Sequence, residues 1–509
     1  MYNDMDKNSR TCNSKKNFII SGAAQILTLV ITFVSRAVFI KILNADYLGI
    51  NGLFSNILSI LAFSELGISS AIIYSMYKPA SENNVNQIAG LINLYKNAYR
   101  LVALIIALIG FSLLPWINNL INGTPDIREN IALIYALYLI NIVCSYLFSY
   151  RKSLNTVFQK EYRNVLIDRS IHAVVTILQL IYLYYTHDFY GYLVITIVET
   201  LLINLITHWT VGNTYRLYLD NKNQLKTTEK RAIFSNIYNI FFYKIGSTIL
   251  TSTSNIIISK LLSLTIVGIY SNYLLIITTL ESILSRSLNS IVASIGNLNA
   301  GDNVEIKRKV MNELVLIIYW IYGFCSIELY VLLDDTIRIW IGTNYLLCDK
   351  CALFAAVLTF YVFGTNFVAS NFRVTMGYFR EGRFVPILAA IINILLSILL
   401  GKLYGLPGIL ISTSIARILS FGIFDPIIVL NKGLKSNPLS YYKRQIGWLI
   451  ITIATGSICV YATSYVSYYN VFTWFEIAII TASIIVSVFF LFSFRSEEFK
   501  TIKNRFIHE

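Results

Sequence analysis

The sequence predicts an all-α polytopic membrane protein of about 14 transmembrane helices, and three observations carry that prediction. Of the 509 residues, 56% are hydrophobic and only 13% are charged, whereas a soluble domain carries roughly 25% charged residues. The mean hydropathy is +0.63. The apolar residues fall in repeated runs of about 20, each long enough to cross a ~30 Å hydrocarbon core. Their period is helical, without the apolar/polar alternation over about ten residues that marks a membrane barrel.

The first run begins at Asn17, behind Lys7, Arg10, Lys15 and Lys16, and stays apolar apart from Arg36 to Leu43. It is longer than the apolar core of a cleaved signal and is expected to be retained as a span. Further spans are predicted over 48–77, 92–117, 129–150, 165–186, 189–212, 233–261, 266–297, 310–333, 352–378, 384–402, 407–430, 444–467 and 471–494. Basic connections at 151–164, 213–232, 298–309 and 431–443 alternate with loops at 44–47, 187–188, 262–265 and 468–470 that hold no Lys or Arg. One side collects roughly 27 Lys and Arg and the other about six, which predicts a multi-pass membrane protein with both termini cytoplasmic. The chain then reads as an N-terminus (1–16), six helices (17–212), a cytoplasmic linker (213–232), six more (233–430), helices 13 and 14 (444–494) and a tail (495–509). This topology accounts for the net charge of +14 and favours contact with anionic membrane lipids over nucleic acid. No connection is long enough for a soluble domain, so activity is expected inside the bundle or at its mouths.

A short motif occurs twice. "KILNADYLGI" (41–50) and "KLLSLTIVGI" (260–269) share Lys, Leu, Gly and Ile at matching places. They fall at the turns from helix 1 to 2 and from helix 7 to 8, the same turn in two halves of equal orientation, as in parallel transporter repeats. The glycine is expected to allow a tight helix start where the chain reverses. Five residues before the lysines, the first copy has Arg36 and the second Asn255.

The opening stretch "FVSRAVFIKILNADYLGINGLFSNILSILAFSELGISSAIIYSMYKPASENN" resembles that of Wzx-type polysaccharide flippases, members of the multidrug/oligosaccharidyl-lipid/polysaccharide exporter superfamily. "MGYFREGRFVPILAAIINILLSILLGKLYGLPGILISTSIARI" is similar to their tenth-to-twelfth helix region, with Gly377, Arg380, Asn393, Ser397, Gly405, Gly408 and Thr413 in the familiar order. "FQKEYRN" before helix 5 also matches. The resemblance implies two six-helix lobes around a central cavity, with helices 13 and 14 as additions. It implies a substrate of undecaprenyl-diphosphate-linked oligosaccharide, moved to the outer leaflet for capsular or related polymer assembly, with a polysaccharide polymerase and other assembly proteins as partners.

Charges inside spans normally face protein, water or ligand. Arg36 lies in helix 1, Glu65 in helix 2, Lys244 in helix 7, and Glu281 and Arg286 in helix 8; the resemblance implies that these four helices line the cavity. Arg36, Lys244 and Arg286 are expected to engage the diphosphate, since guanidinium matches phosphate oxygens as a bidentate donor. Glu65 and Glu281 would balance charge in the unloaded state, and Arg417 in helix 12 joins the substrate-binding set. The alternative is structural pairing between helices. Arg373 is expected to snorkel to the inner interface, Asp168 and His172 to pair at i, i+4, and Glu199 to have a structural partner or serve a cation.

The pattern argues against enzymes. No P-loop is present. A membrane glycosyltransferase would need placed carboxylates, and the external set predicted here is Asp334, Asp335 and Asp349 in a short loop. Neither catalytic residues nor a cofactor are expected; a coupling ion, H+ or Na+, stays open. The four histidines lack ligand spacing, and Cys348 and Cys351 form a lone C-x-x-C without further ligands, so no metal is expected. A local disulfide between those two cysteines is left open. A drug or cation antiporter, and a peptidoglycan-precursor or teichoic-acid-type flippase of the same superfamily, are the nearer alternatives.

Overall fold

In hydrocarbon every backbone N–H and C=O must be paired within the chain, and for separate apolar runs of this length the helix is the structure that does so. A computed structural model of the chain describes residues 2–508 apart from 63–66, 222, 224, 226, 302 and 466–469, and among the described residues there is no strand. Twelve helical spans among them are long and apolar enough to cross a membrane. The chain divides into two compact units, residues 1–248 and 249–509.

The first unit contains α1 (Tyr2–Ile42), α2 (Ala45–Leu61), α3 (Ile68–Ser81), α4 (Val85–Leu113), α5 (Ile131–Ser145), α6 (Lys152–Val157), α7 (Glu161–Thr186), α8 (Phe189–Thr214) and α9 (Arg216–Leu219). Helix α10 (Thr227–Leu261) begins there and ends in the second unit. The second unit continues with α11 (Leu264–Ala300), α12 (Val304–Trp340), α13 (Lys350–Thr365), α14 (Phe367–Thr375), α15 (Phe379–Gly382), α16 (Val385–Tyr404), α17 (Leu406–Leu419) and α18 (Phe421–Ile427). Helices α19 (Pro438–Thr463), α20 (Val471–Ser493) and α21 (Glu497–His508) complete it.

Several predicted spans are not single straight helices. The span predicted over 48–77 is divided into α2 and α3, the second starting behind Gly67 in a left-handed conformation (φ 97°). The span over 352–378 is interrupted at Asn366 between α13 and α14. The span over 407–430 is interrupted at Ser420, whose ψ of −88° is not helical, and passes through Pro426 into a π-helical turn at Ile428–Gly433. Proline removes a backbone donor and crowds the preceding turn, so a kink there is expected. Helix α12 runs on to Trp340, which puts Asp334 and Asp335 on a helix and not in the predicted external loop. Asp334 accepts from Tyr273 Oη (2.7 Å) and Lys350 Nζ (2.6 Å), while Asp349 caps α13 by accepting from the amides of Cys351 and Ala352. The three acids therefore form no cluster: two of them are structural anchors.

Both copies of the repeated motif sit at a helix–turn–helix junction, but glycine does not make the turn. Asn44 caps α2 by accepting from Asp46 N (3.0 Å), and Ser263 caps α11 by accepting from Ile266 N (3.2 Å). Each cap satisfies a donor that the helix start leaves unpaired. Gly49 and Gly268 lie beyond the caps, inside the helices and buried.

The outside of the spans is apolar and the inside is partly polar, the distribution expected of a protein solvated by lipid. Leu395, Leu403 and Phe472 are exposed, whereas Asn393, Ser397, Ser412 and Ser414 are fully buried. Asn393 accepts from Thr253 Oγ1 (3.1 Å) and donates to Thr413 Oγ1 (2.9 Å), joining α10, α16 and α17. Helices α16 and α17 meet in a hairpin whose turn is Gly405 (φ 64°). A Cβ on Gly408 would stand 2.1 Å from the Leu400 carbonyl oxygen, a backbone atom that cannot swing away. Gly408→Ala is therefore expected to destabilise the second unit by about 1–3 kcal/mol or more. Gly447→Ala, where a Cβ would meet nothing within 4 Å, should leave thermal unfolding of the purified protein in detergent unchanged.

Candidate functional site

In the first unit one intramembrane cation is Arg36 on α1. It is half-buried, and its charge is felt by the phenols of Tyr138 on α5 and Tyr192 on α8. Those rings are fixed by neighbours: Phe54 lies 5.9 Å from Tyr138, and Phe39 and Phe189 lie 5.4 and 5.9 Å from Tyr192. Among the described residues Arg36 makes no ion pair. Its surroundings thus offer hydroxyls and rings and leave the guanidinium donors available to an anion.

Lys244 on α10 donates to Ser70 Oγ (3.3 Å) on α3, just beyond the break at Gly67. Glu65, expected to balance the charge of the cations, lies outside the described residues. In the second unit Glu281 on α11 is half-buried, with Arg417 on α17 as its charged neighbour. The Arg417 guanidinium lies 5.1 Å from the centre of the Phe363 ring, a cation–π contact. Arg286, further along α11, is exposed and makes no ion pair among the described residues. The structure therefore brings Glu281 and Arg417 together, and Arg286 forms no ion pair with Glu281.

Three pairs of ionisable side chains differ from the sequence expectation. Asp168 pairs with Lys152 (2.6 Å) and His172 with Glu199 (2.9 Å), in place of the i, i+4 couple. Glu199 thereby has a structural partner. Arg373 does not snorkel: only 1% of it is exposed, and it pairs at 2.8 Å with Asp425, which is fully buried. Asp425 also accepts from Ser370 Oγ (2.5 Å), and Arg373 Nη1 donates to the Tyr378 carbonyl (3.2 Å). The pair joins α14 to α18 beyond the interruptions at Asn366 and Ser420. Gly382 makes room for it, since a Cβ there would lie 2.1 Å from Nη1. One acid was missed entirely: Glu328 on α12 accepts from Thr481 Oγ1 (2.9 Å) on α20, and its other oxygen has no partner among the described residues. Opposite charges within apolar runs were the available signal for Arg373 and Asp425; for Glu328 it was an acid isolated in a span.

A groove of about 470 Å³ runs between α12, α13 and α19, bounded by Ile327, Phe354, Val357, Leu449 and Ile453, with hydroxyl side chains such as Ser326, Thr452 and Ser457 among them. Cys348 and Cys351 are exposed and unbonded. Among the described residues no three His, Cys, Asp or Glu side chains come together as a metal would require.

Residues 14–294 match the family described as polysaccharide biosynthesis protein. No curated protein sequence matches the chain. Among solved structures, an inward closed conformation of the lipid II flippase MurJ superposes with a TM-score of 0.65 at 18% identity, over 94% of this chain and 99% of that one. An inward-facing multidrug resistance MATE transporter of the MOP superfamily gives a TM-score of 0.60 at 13% identity, over 82% and 99%. A point mutant of the Vibrio cholerae MATE transporter VcmN gives 0.56 at 14%, over 84% and 99%. The fold is the one shared by these transporters.

Removing one end of a buried ion pair leaves an uncompensated charge at a cost of about 3–5 kcal/mol. Asp425→Ala is accordingly expected to lower folded yield and thermal stability strongly. Asp425→Ala combined with Arg373→Met should recover much of the loss, read as the monodisperse fraction in size-exclusion chromatography after heating. A single variant as stable as the parent would show that the pair is not a structural support.

Proposed function

The chain belongs to the polysaccharide biosynthesis protein family, and from that premise we propose that it is a flippase for undecaprenyl-diphosphate-linked oligosaccharide units. It would carry them from the inner to the outer leaflet of the bacterial cell membrane for capsular or other surface polysaccharide assembly. The observation that carries this reading is Arg36, an intramembrane guanidinium beside phenols and without an ion-pair partner among the described residues. A diphosphate crossing a low-dielectric interior needs cationic donors to replace its water. Lys244, Arg286 and Arg417 are the further cations proposed for the path, with Glu281 compensating Arg417 while no substrate is bound; Glu65 is proposed for the same compensating role. The groove on α12, α13 and α19 supports the reading by offering an apolar wall for part of a polyprenyl chain.

The proposed mechanism is alternating access, with the lipid tail staying in the bilayer throughout. An inside-negative potential favours outward movement of an anion by about 2.3 kcal/mol per net charge per 100 mV. The second reading is a peptidoglycan-precursor or teichoic-acid-type flippase, with the same diphosphate chemistry; similarity to the lipid II flippase structure over 94% of the chain favours it over the antiporter alternative.

Complementation separates the two readings: rescue of a polysaccharide-flippase-null strain and not of a peptidoglycan-flippase-null strain is the expected result, and the reverse supports the second. Losing a charge-assisted hydrogen bond of about 1.5–3 kcal/mol should make Arg36→Ala about tenfold or more weaker in a reconstituted flipping assay. Arg36→Lys, which keeps the charge and loses the fork, should fall between. Full activity of Arg36→Ala at parental expression would remove Arg36 from the path.

A further inference from the structure

The segment "RKSLNTVFQKEYRN" (151–164) borders a second cavity, away from Arg36, that the transport reading does not use. It holds about 390 Å³ and is lined by Asn155, Arg163, Leu166, Thr210, Val211 and Thr214, a size within the range of ligand pockets of roughly 300–1,000 Å³. It lies at one end of the first unit, between the end of α6, the start of α7 and the end of α8.

Its hydrogen-bonding character is fixed by a chain of constraints. Asn164 donates its amide to the Lys152 carbonyl and to Glu161 Oε2, both at 3.1 Å. A carbonyl only accepts, so the Asn164 amide cannot be turned round. Its oxygen therefore faces Asn155 and accepts from that amide at 2.7 Å. This leaves Asn155 Oδ1 as an acceptor without a partner among the described residues, on a side chain only 2% exposed. Such a buried acceptor costs free energy unless a donor reaches it. Thr210 and Thr214 donate their hydroxyls to the Ile206 and Thr210 carbonyls, both at 2.8 Å, so toward the cavity they too can only accept. Arg163 is the cavity's cation and makes no ion pair among the described residues.

One cation beside three acceptor oxygens calls for a ligand that combines an anion with hydroxyl or ammonium donors. The elements that carry the cavity also say where that ligand comes from. Leu166 of the lining is 46% exposed, and Leu205 and Trp209 on α8 and Leu217 on α9 are 52%, 74% and 67% exposed, apolar side chains that include an indole of the kind that settles at the headgroup level of a bilayer. An ammonium would sit beside Arg163 with like charge, whereas glycerol hydroxyls would not. We infer that this cavity binds the headgroup of an anionic glycerophospholipid with a free glycerol, its phosphate on Arg163, a glycerol hydroxyl donating to Asn155 and its acyl chains along the exposed apolar side chains of these helices.

Native mass spectrometry of the full-length chain in detergent tests this, with phosphatidylglycerol, phosphatidylethanolamine and sn-glycerol 3-phosphate as probes. The expected result is one retained phosphatidylglycerol, bound about tenfold or more weakly by Arg163→Gln, which removes a charge-assisted bond, and by Thr210→Trp, which fills the mouth from an exposed position. Arg169→Gln, which removes an exposed cation outside the cavity, should bind as the parent does. Equal retention by the parent and both cavity variants would overturn the site. Equal binding of phosphatidylethanolamine would overturn the headgroup assignment. Binding of sn-glycerol 3-phosphate as tight as that of the lipid would overturn the lipid source. None of these outcomes depends on flipping activity, so the cavity and the transport reading fail separately.

Discussion

Each charge or polar group placed in hydrocarbon must be answered by another group of the chain, and the architecture of both units follows from how this is done. Arg373 and Asp425 answer one another, and Ser370 and the Tyr378 carbonyl complete the set. His172 answers Glu199, and Asn393 serves two helices at once. These groups add less in net stability than the apolar packing around them, because burying an ion pair roughly cancels its own attraction. Their effect lies in specificity: a helix rotated out of register would strand a charge, so the pairs select one arrangement of nearly featureless apolar cylinders.

The same pairing explains where helices are allowed to break. An interrupted helix frees backbone donors and acceptors, which is tolerable at membrane depth only where protein or water covers them. The interruption at Gly67 is followed by Ser70, bonded to Lys244. Those at Asn366 and Ser420 are followed by Arg373 and Asp425, bonded to each other. In all three cases the chain resumes with a polar tie to another helix. Breaks and polar ties therefore fall together along the chain.

This separates what was legible in the sequence from what was not. Apolar run length reports the medium a segment must cross, so most spans could be read along the chain, whereas the interruptions at Gly67, Asn366 and Ser420 within them could not. Partners could not, because they are chosen across helices. The i, i+4 rule joins Asp168 to His172 on one helix, yet Lys152 and Glu199 on neighbouring elements are nearer to their charges. Snorkelling of Arg373 assumed an open interface at the end of its helix. Residues 378–382 instead fold over the guanidinium, which Gly382 admits by lacking a side chain. The repeated motif was visible, but its turn is made by Asn44 and Ser263, ordinary capping residues that vary between the copies. The glycines that made it recognisable are packing positions.

The residues that carry the family resemblance turn out to be of this scaffolding kind. Asn393 and Thr413 bond helices together, Gly405 and Gly377 take positive φ, and Gly408 admits a backbone. Residues that hold a scaffold say little about cargo, so selectivity has to be sought where the two halves of the repeat differ. Five residues before the motif lysines, the first copy has Arg36 and the second Asn255. Arg36 is a cation without an ion-pair partner among the described residues, and Asn255, only 5% exposed, has an amide oxygen without a donor among them. One position seeks an acceptor and its counterpart seeks a donor.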